Sequence, residues 1–206
     1  MKVHRAGEAG LLVETGDLAT AHRLDAAIRA AGLAGIVDVV PGEHTVLVTA
    51  DPAVCDLARL AARLPELPLP EPPAAGADPM EIPVVYDGAD LAEVADIAGL
   101  SPEEVVRRHS AAEYTVAYLG FSPGFGYLTG LDEALRVPRR ASPRTSVPAG
   151  AVAVAGPYAA VYPSPSPGGW RLLGRTSATL WDVTRDPPSP LRPGVRVRVR
   201  FTVASP

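Results

Sequence analysis

Six prolines fall within residues 65–80, PELPLPEPPAAGADPM, and few regular elements tolerate such a run. Each proline fixes φ and removes a backbone donor, so the segment favours extended polyproline geometry over a helix interior or a central strand. The chain therefore divides here, into residues 1–66, a linker at 67–80 and residues 81–206. A length of 206 residues suits one large domain or two small ones. Its 23 prolines, roughly double the usual ~5% share, point to many rigid turns in place of long helices.

Before the linker the hydrophobic period alternates. Val3 to Val13 reads as strand around a Gly-Glu-Ala-Gly turn. Asp17 then caps a helix whose apolar positions Leu18, Ala21, Leu24 and Ile28 recur near 3.6, with a stop at Gly32. Residues 36–50, IVDVVPGEHTVLVTA, form two strands joined at Pro41-Gly42-Glu43, and residues 53–64 a second helix. This β-α-β-β-α order is compatible with a ferredoxin-like or related α/β domain that docks or supports. Cys55 is expected on the apolar face of that second helix.

After the linker come a strand at Glu81 to Tyr86 and two short helices. Asp90 with Glu93, and Ser101 with Glu104 behind Pro102, have capping-box spacing. Arg107, Arg108 and His109 then close the second helix, where cations suit the macrodipole. Tyr114–Leu119, Ala151–Ala155, Ala159–Tyr162, Trp170–Leu173 and Val195–Val203 are short and β-rich, separated by Gly/Pro turns. Such spacing predicts a closed or nearly closed β-barrel, giving an α+β chain overall. The stretch VRVRVRF at 195–201 alternates strictly, arginines on one face and valines on the other.

Charge and composition exclude several functions. A net charge of −4 and a pI near 5.6 supply no broad basic field, which disfavours nucleic acid and anionic lipid as partners. The single cysteine, Cys55, leaves no intramolecular disulfide and no multi-cysteine metal cage. The opening MKVHRAGEAG lacks the apolar region of a signal peptide, and no apolar run approaches the ~18 residues of a membrane span. A cytoplasmic protein without a membrane partner is the expectation. Neither a Ser-His-Asp signature nor metal-ligand spacing is present.

Chemistry concentrates between His109 and Thr176. His109 is the only histidine near this segment; it either exchanges protons at a site or closes a helix C-terminus. Gly120-Phe121-Ser122-Pro123-Gly124-Phe125-Gly126-Tyr127 offers glycines for close backbone approach, so its amides could meet a carboxylate, carbonyl or phosphate while Phe and Tyr wall a pocket. It is not a P-loop, since no Gly-Lys-Ser/Thr follows, and a tight turn with core aromatics is the competing reading. Arg139, Arg140, Arg144 and Arg175 lie in predicted loops, where a guanidinium binds carboxylate or phosphate bidentately or forms a surface ion pair. Tyr162, Ser164, Ser166, Gly168, Gly169 and Trp170 form a second Pro/Gly-rich loop with hydroxyls able to orient a polar ligand, or a plain turn.

GFSPGFGYLTGL at 120–131, PRR at 138–140, PRTSVPAGAVAVAG at 143–156 and YPSPSPGGWRLLGRT at 162–176 together resemble the 5-oxoprolinase B-subunit family. That family is also labelled allophanate hydrolase subunit 1 and includes the Kip-type sporulation-kinase inhibitor. The resemblance implies a small N-terminal α/β domain followed by a cyclophilin-like β-barrel, related to half of the carboxyltransferase-type domain of urea carboxylases. It implies one component of a complex that opens 5-oxoproline to glutamate with ATP, although this chain carries no ATP motif of its own. Partners would be a C-type homologue with a paired barrel and an A-type protein. Other readings are an inhibitor of a sensor histidine kinase or a part of a urea or allophanate pathway. The resemblance favours His109 as catalytic, with Gly120, Phe121, Pro123, Gly124, Tyr127, Arg139, Arg144, Tyr162, Ser166 and Arg175 around the substrate. One departure is Gly126, where the family commonly has proline before the tyrosine, so a less rigid turn is expected.

Overall fold

The computed structural model describes residues 1–71 and 80–203, with the backbone alone for 194–200 and 202. It divides into two compact units, Met1–Ala74 and Ala75–Pro206.

In the first unit β1 (Lys2–Ala6) and β2 (Gly10–Glu14) precede α1 (Leu18–Ala31), β3 (Ile36–Pro41), β4 (Thr45–Ala50) and α2 (Leu57–Arg63). The sheet is antiparallel throughout, in the order β1-β2-β4-β3. Leu11, Val13, Val46 and Val48 on the sheet share a core with Leu24 and Ile28 of α1 and Leu57 and Leu60 of α2. As the spacing predicts, Asp17 accepts from the Thr20 N–H at 2.8 Å and Gly32 ends α1 at φ 53°. Two readings are corrected. Val3–Val13 is a hairpin of two strands rather than one, because Gly7 at φ 70° reverses the chain, so the order is β-β-α-β-β-α. The second helix starts at Leu57, where Asp56 accepts from the Ala58 and Arg59 N–H groups.

Ahead of α2, Asp51 holds residues 53–55 in a turn, accepting at its side chain from Ala53 and at its carbonyl from Val54 and Cys55. Cys55 accordingly packs half-buried against the core just before the helix, not on its face. Leu67 and Leu69 pack against the same core, and Arg23 donates to the carbonyls of Leu69 and Pro70 at 3.1 and 2.8 Å. The first residues of the proline-rich run are thus held by the first unit; Pro72, Pro73 and Pro79 lie outside the described residues.

The second unit opens with β5 (Met80–Val84), α3 (Leu91–Ala98) and α4 (Pro102–Ala111). Ser101 caps α4 by accepting from the Glu104 N–H at 3.2 Å. There follow β6 (Tyr114–Leu119), β7 (Gly126–Thr129), β8 (Arg144–Val147), β9 (Ala151–Ala155), β10 (Tyr158–Val161), β11 (Ser166–Gly168), β12 (Arg171–Arg175) and β13 (Gly194–Val203). Seven of these strands form one sheet in the order β12-β9-β10-β7-β6-β13-β5, and β8 pairs separately with β11.

The two edges of the large sheet meet. Val85, just beyond β5, exchanges both backbone hydrogen bonds with Arg175 at 2.9 and 2.8 Å, and Gly88 N–H reaches the Leu173 carbonyl at 3.0 Å. This seam requires Gly174, where a Cβ would overlap the Val85 carbonyl oxygen. Inside the ring lie Ile82, Val84, Val116, Leu128, Val154, Leu173 and Phe201, covered by Val94 of α3 and Val105 of α4. The side chains of the alternating 195–200 stretch lie outside the described residues; its backbone pairs parallel to β5 and antiparallel to β6. Strands β7, β8 and β11, three or four residues each, are too short to show a hydrophobic period and escape the sequence reading.

Candidate functional site

Asp90 stands at the head of α3 yet makes no capping hydrogen bond and is 2% exposed. Its carboxylate accepts instead from the Leu172 N–H at 2.7 Å, Arg144 Nη2 at 2.7 Å and Arg140 Nη1 at 2.8 Å. Burial pushes its pKa up, but the Arg144 and Leu172 hydrogen bonds and the two guanidinium charges win, holding the carboxyl below its ordinary range. Glu93, one turn on, reaches Arg171 Nη1 at 2.6 Å and Arg140 Nη1 at 3.3 Å. Arg171 in turn donates to the Pro138 carbonyl at 3.0 Å. The capping box expected at Asp90 and Glu93 is corrected: both carboxylates go to arginines.

Beside this network the β8–β11 ladder sets Gly168 opposite Arg144. A side chain at Gly168 would overlap the Tyr162 hydroxyl, so glycine there is what admits the phenol. Tyr162 is buried, accepts from the Trp170 backbone N–H and feels the charges of Arg139 and Arg144. Burial dominates and raises its pKa, so the phenol stays protonated at neutral pH and its proton can be donated. The exposed Arg139 places its guanidinium 5.8 Å from the Trp170 ring centroid, a cation–π distance. Trp170 also meets Phe125 and Tyr127 edge-on at 5.6 Å each, and Phe125 meets Tyr162 and Phe121 at 5.2 Å each.

The loop between β6 and β7 joins this aromatic wall. Phe121 sits at its tip, 61% exposed and at φ 67°, while Gly124 turns at φ 79°. A bulky residue held in the left-handed region costs about 1–3 kcal/mol, strain that clusters at ligand-binding loops. Gly120 does not itself take positive φ. Three of the loop amides expected to form a cradle are taken up internally: Gly120, Ser122 and Phe125 donate their N–H groups to the Phe125, Gly120 and Ser122 carbonyls. Pro123 is exposed at the turn, and Gly124 is required because a Cβ would stand 2.8 Å from the Leu180 carbonyl oxygen. Gly126 opens β7 opposite Leu119, and the Gly120–Phe125 hydrogen bond closes the loop without a proline.

Buried polar atoms near these elements without a hydrogen-bond partner among the described residues include Ser122 Oγ, Ser166 Oγ, Arg140 Nε and Arg144 Nη1. Buried donors left open cost free energy that a ligand's acceptors would recover. The structure thus sets Phe125, Tyr127 and Arg139 against Trp170, with Tyr162 and Phe121 joined through Phe125 and Arg144 acting on Tyr162, while Ser166 lies two residues before Gly168 in β11. Sequence reasoning missed Asp90, Glu93 and Arg171. Among the described residues no group of three or more His, Cys, Asp and Glu could hold a metal.

Arg175 lies elsewhere, where the two edges of the large sheet meet, exposed and paired with Asp87 at 2.8 Å. His109 is also apart. It is fully buried at the end of α4, its Nδ1 2.7 Å from the Tyr86 hydroxyl and its ring stacked 4.7 Å from Phe201. Burial pulls its pKa down to about 3, so the imidazole is neutral and packed in the core, and it does not act as the cation expected at the helix C-terminus. The unfolded chain gains a proton at this histidine near pH 6.5, which the folded chain refuses until about pH 3. Stability therefore falls with acidification across that window. We expect His109→Gln to make the pH dependence of urea unfolding between pH 4 and 6 shallower by about 1.4 kcal/mol per pH unit, the slope of one proton; an unchanged slope would contradict the assignment.

Residues 1–191 match the family model of the carboxyltransferase domain, subdomains C and D. The 5-oxoprolinase B-subunit of Escherichia coli O157:H7 is 57% identical over 122 residues, 58% of this chain and 56% of that protein, so the match spans little more than half of the relative. The crystal structure of TTHA0988 superposes with a TM-score of 0.83 at 41% identity over 96% of this chain and 40% of that one. Urea carboxylase of Kluyveromyces lactis shares the fold at a TM-score of 0.73 and 22% identity, over 98% of this chain and 22% of that one. No described helix is long and apolar enough to cross a membrane.

Proposed function

This chain belongs to the carboxyltransferase-domain family, subdomains C and D, and from that premise we propose that it is the B-subunit of an ATP-dependent 5-oxoprolinase. In this reading the first unit is ferredoxin-like, and the ringed sheet of the second is a cyclophilin-like barrel. The barrel's rim is part of a cytoplasmic active site that a C-type and an A-type partner complete. The observation that carries the reading is the convergence of Arg139, Arg144 and Tyr162 on one aromatic-walled rim. It is supported by likeness to a protein named as a 5-oxoprolinase B-subunit.

Opening 5-oxoproline breaks the ring C–N bond and adds water across it, oxygen to the carbonyl carbon and a proton to the nitrogen. This chain supplies binding and polarisation for that reaction. Arg144, pinned by Asp90, and Arg139, laid on Trp170, are placed to hold the substrate carboxylate. The protonated Tyr162 hydroxyl is placed to donate to an oxygen that gains charge as the ring opens. With His109 in the core, no histidine stands in the cluster, and activation of water falls to a partner.

ATP supplies the energy that drives lactam opening. The glycine loop of this chain does not fit its triphosphate: it runs between two antiparallel strands instead of into a helix, and its Gly120, Ser122 and Phe125 amides are bonded within the loop. We expect glutamate formation from 5-oxoproline and ATP only when this chain is combined with both partners, and faster than turnover of urea or allophanate by the same mixture. Activity from this chain alone would overturn the shared site; preference for urea or allophanate would overturn the substrate.

A further inference from the structure

The sheet of the first unit has helices on one face only. That face, with Leu11, Val13, Val46 and Val48, packs on α1 and α2. The pairing register assigns the other face. One of its rows crosses all four strands as His4, Leu12, Leu47 and Val40, each directly opposite the next. Leu12 and Leu47 are half-buried, Val40 is 40% exposed, and none of the three belongs to the core. Val37, the extra residue where the register shifts between Ile36 and Asp38, is 70% exposed on the same edge strand. Around this apolar stripe the charges stand at opposite corners. Lys2 lies on edge strand β1 in the row of Glu14 and Thr45, and Glu14 meets His4 at 3.1 Å on this face. Asp38 lies on the other edge strand, β3, at the far end, in the row of Thr49, Gly10 and Ala6. Lys2 and Asp38 are exposed, and among the described residues neither is in an ion pair.

We propose that this face packs against the same face of a second copy of the chain. Strands are ~4.8 Å apart and residues two apart along a strand about 6.7 Å, so Lys2 and Asp38 lie on one diagonal, equally far from the midpoint between Leu12 and Leu47. A two-fold axis between the copies, perpendicular to that diagonal, sets Lys2 of each copy over Asp38 of the other. The same axis stacks Leu12 and Leu47 on their counterparts and Ala6 on Ala6, where small side chains let the sheets close. The strands then cross at roughly 90°, one of the two angles at which sheets pack. The pattern is its own complement, as an isologous interface demands. Four strands of five or six residues present roughly 20 by 17 Å, well under the ~800 Å² per partner of a standard interface, so the dimer is weak and reversible. It uses the first unit alone and is independent of the function proposed above.

The test is sedimentation equilibrium of the full chain from about 5 to 500 µM, a span that brackets a weak dimer. A reversible monomer–dimer equilibrium is the expected result. Leu47→Glu, at a position outside the core, should weaken it at least tenfold while the far-ultraviolet circular dichroism stays that of the parent. Lys2→Glu and Asp38→Lys should each weaken it, and the two combined should restore the dissociation constant to within about threefold of the parent. That restoration reports a charge pair across the interface, which damage to one copy does not produce. Arg136→Ala, which removes an arginine of the second unit paired with Glu133, should dimerise as the parent does. A parent that is monomeric at every concentration, a dimer indifferent to Leu47→Glu, or a double variant no tighter than either single one would overturn the proposal. A monomeric parent that binds a partner subunit, and loses it on Leu47→Glu, would also overturn it and give the face to that partner.

Discussion

Replacing Asp90 with alanine should destabilise the second unit by about 3 kcal/mol, measured as a fall in urea midpoint without a change in slope. Three donors lose their acceptor at once: the Leu172 N–H, Arg144 Nη2 and Arg140 Nη1. The value is set at the low end for a broken buried ion pair because Arg140 and Arg144 side chains are 32% and 24% exposed and recruit water. Leu172 N–H has no such recourse beneath a residue that is 2% exposed. Asp90→Asn keeps the shape and one acceptor but not the charge, so its loss should be smaller. A change under about 0.5 kcal/mol in Asp90→Ala, typical of surface positions, would show that the network does not hold α3, β8 and β12 together.

Arg144→Ala should lower kcat/KM for 5-oxoproline in the reconstituted complex by at least ~100-fold, about 2.7 kcal/mol of transition-state stabilisation. Arg144 is the one guanidinium tied both to the buried Asp90 and to the Tyr162 hydroxyl's surroundings, with a buried Nη1 still open. Truncation removes a charged donor and frees one lone pair of Asp90, so the fold is weakened as well; reading activity per folded molecule separates the two. Arg144→Lys keeps the charge but not the fork, and should recover only part of the loss.

The elements that follow a hydrophobic period were legible. Asp17 and Gly32 bound α1, Ser101 caps α4, and β6 and β9 run between the residues their β-rich stretches suggest. Strands without such a period were not. β8 and β11 have mixed burial because they form a separate two-stranded ladder, and no alternation marks them. Arg139, Arg144, Tyr162 and Ser166 could be named from sequence as loop arginines and hydroxyls, a pattern that equally suits surface ion pairs and plain turns. Asp90 could not, since Asp-x-x-Glu ahead of an apolar run signals a capping box, and the arginines that claim it lie 50 and 54 residues away. His109 shows the converse: a histidine inside a functional segment whose side chain, aimed at Tyr86 and Phe201, belongs to the core.

One comparison bears most directly on the claim that the Arg139–Arg144–Tyr162 rim is the substrate-binding half of a shared 5-oxoprolinase site. Glutamate formation from 5-oxoproline and ATP would be followed in the three-component mixture containing either Arg144→Ala or Arg136→Ala. A loss of at least ~100-fold in kcat/KM for the first, with parent-like turnover for the second, is the predicted result. Equal rates for the two variants would contradict it and move the site elsewhere.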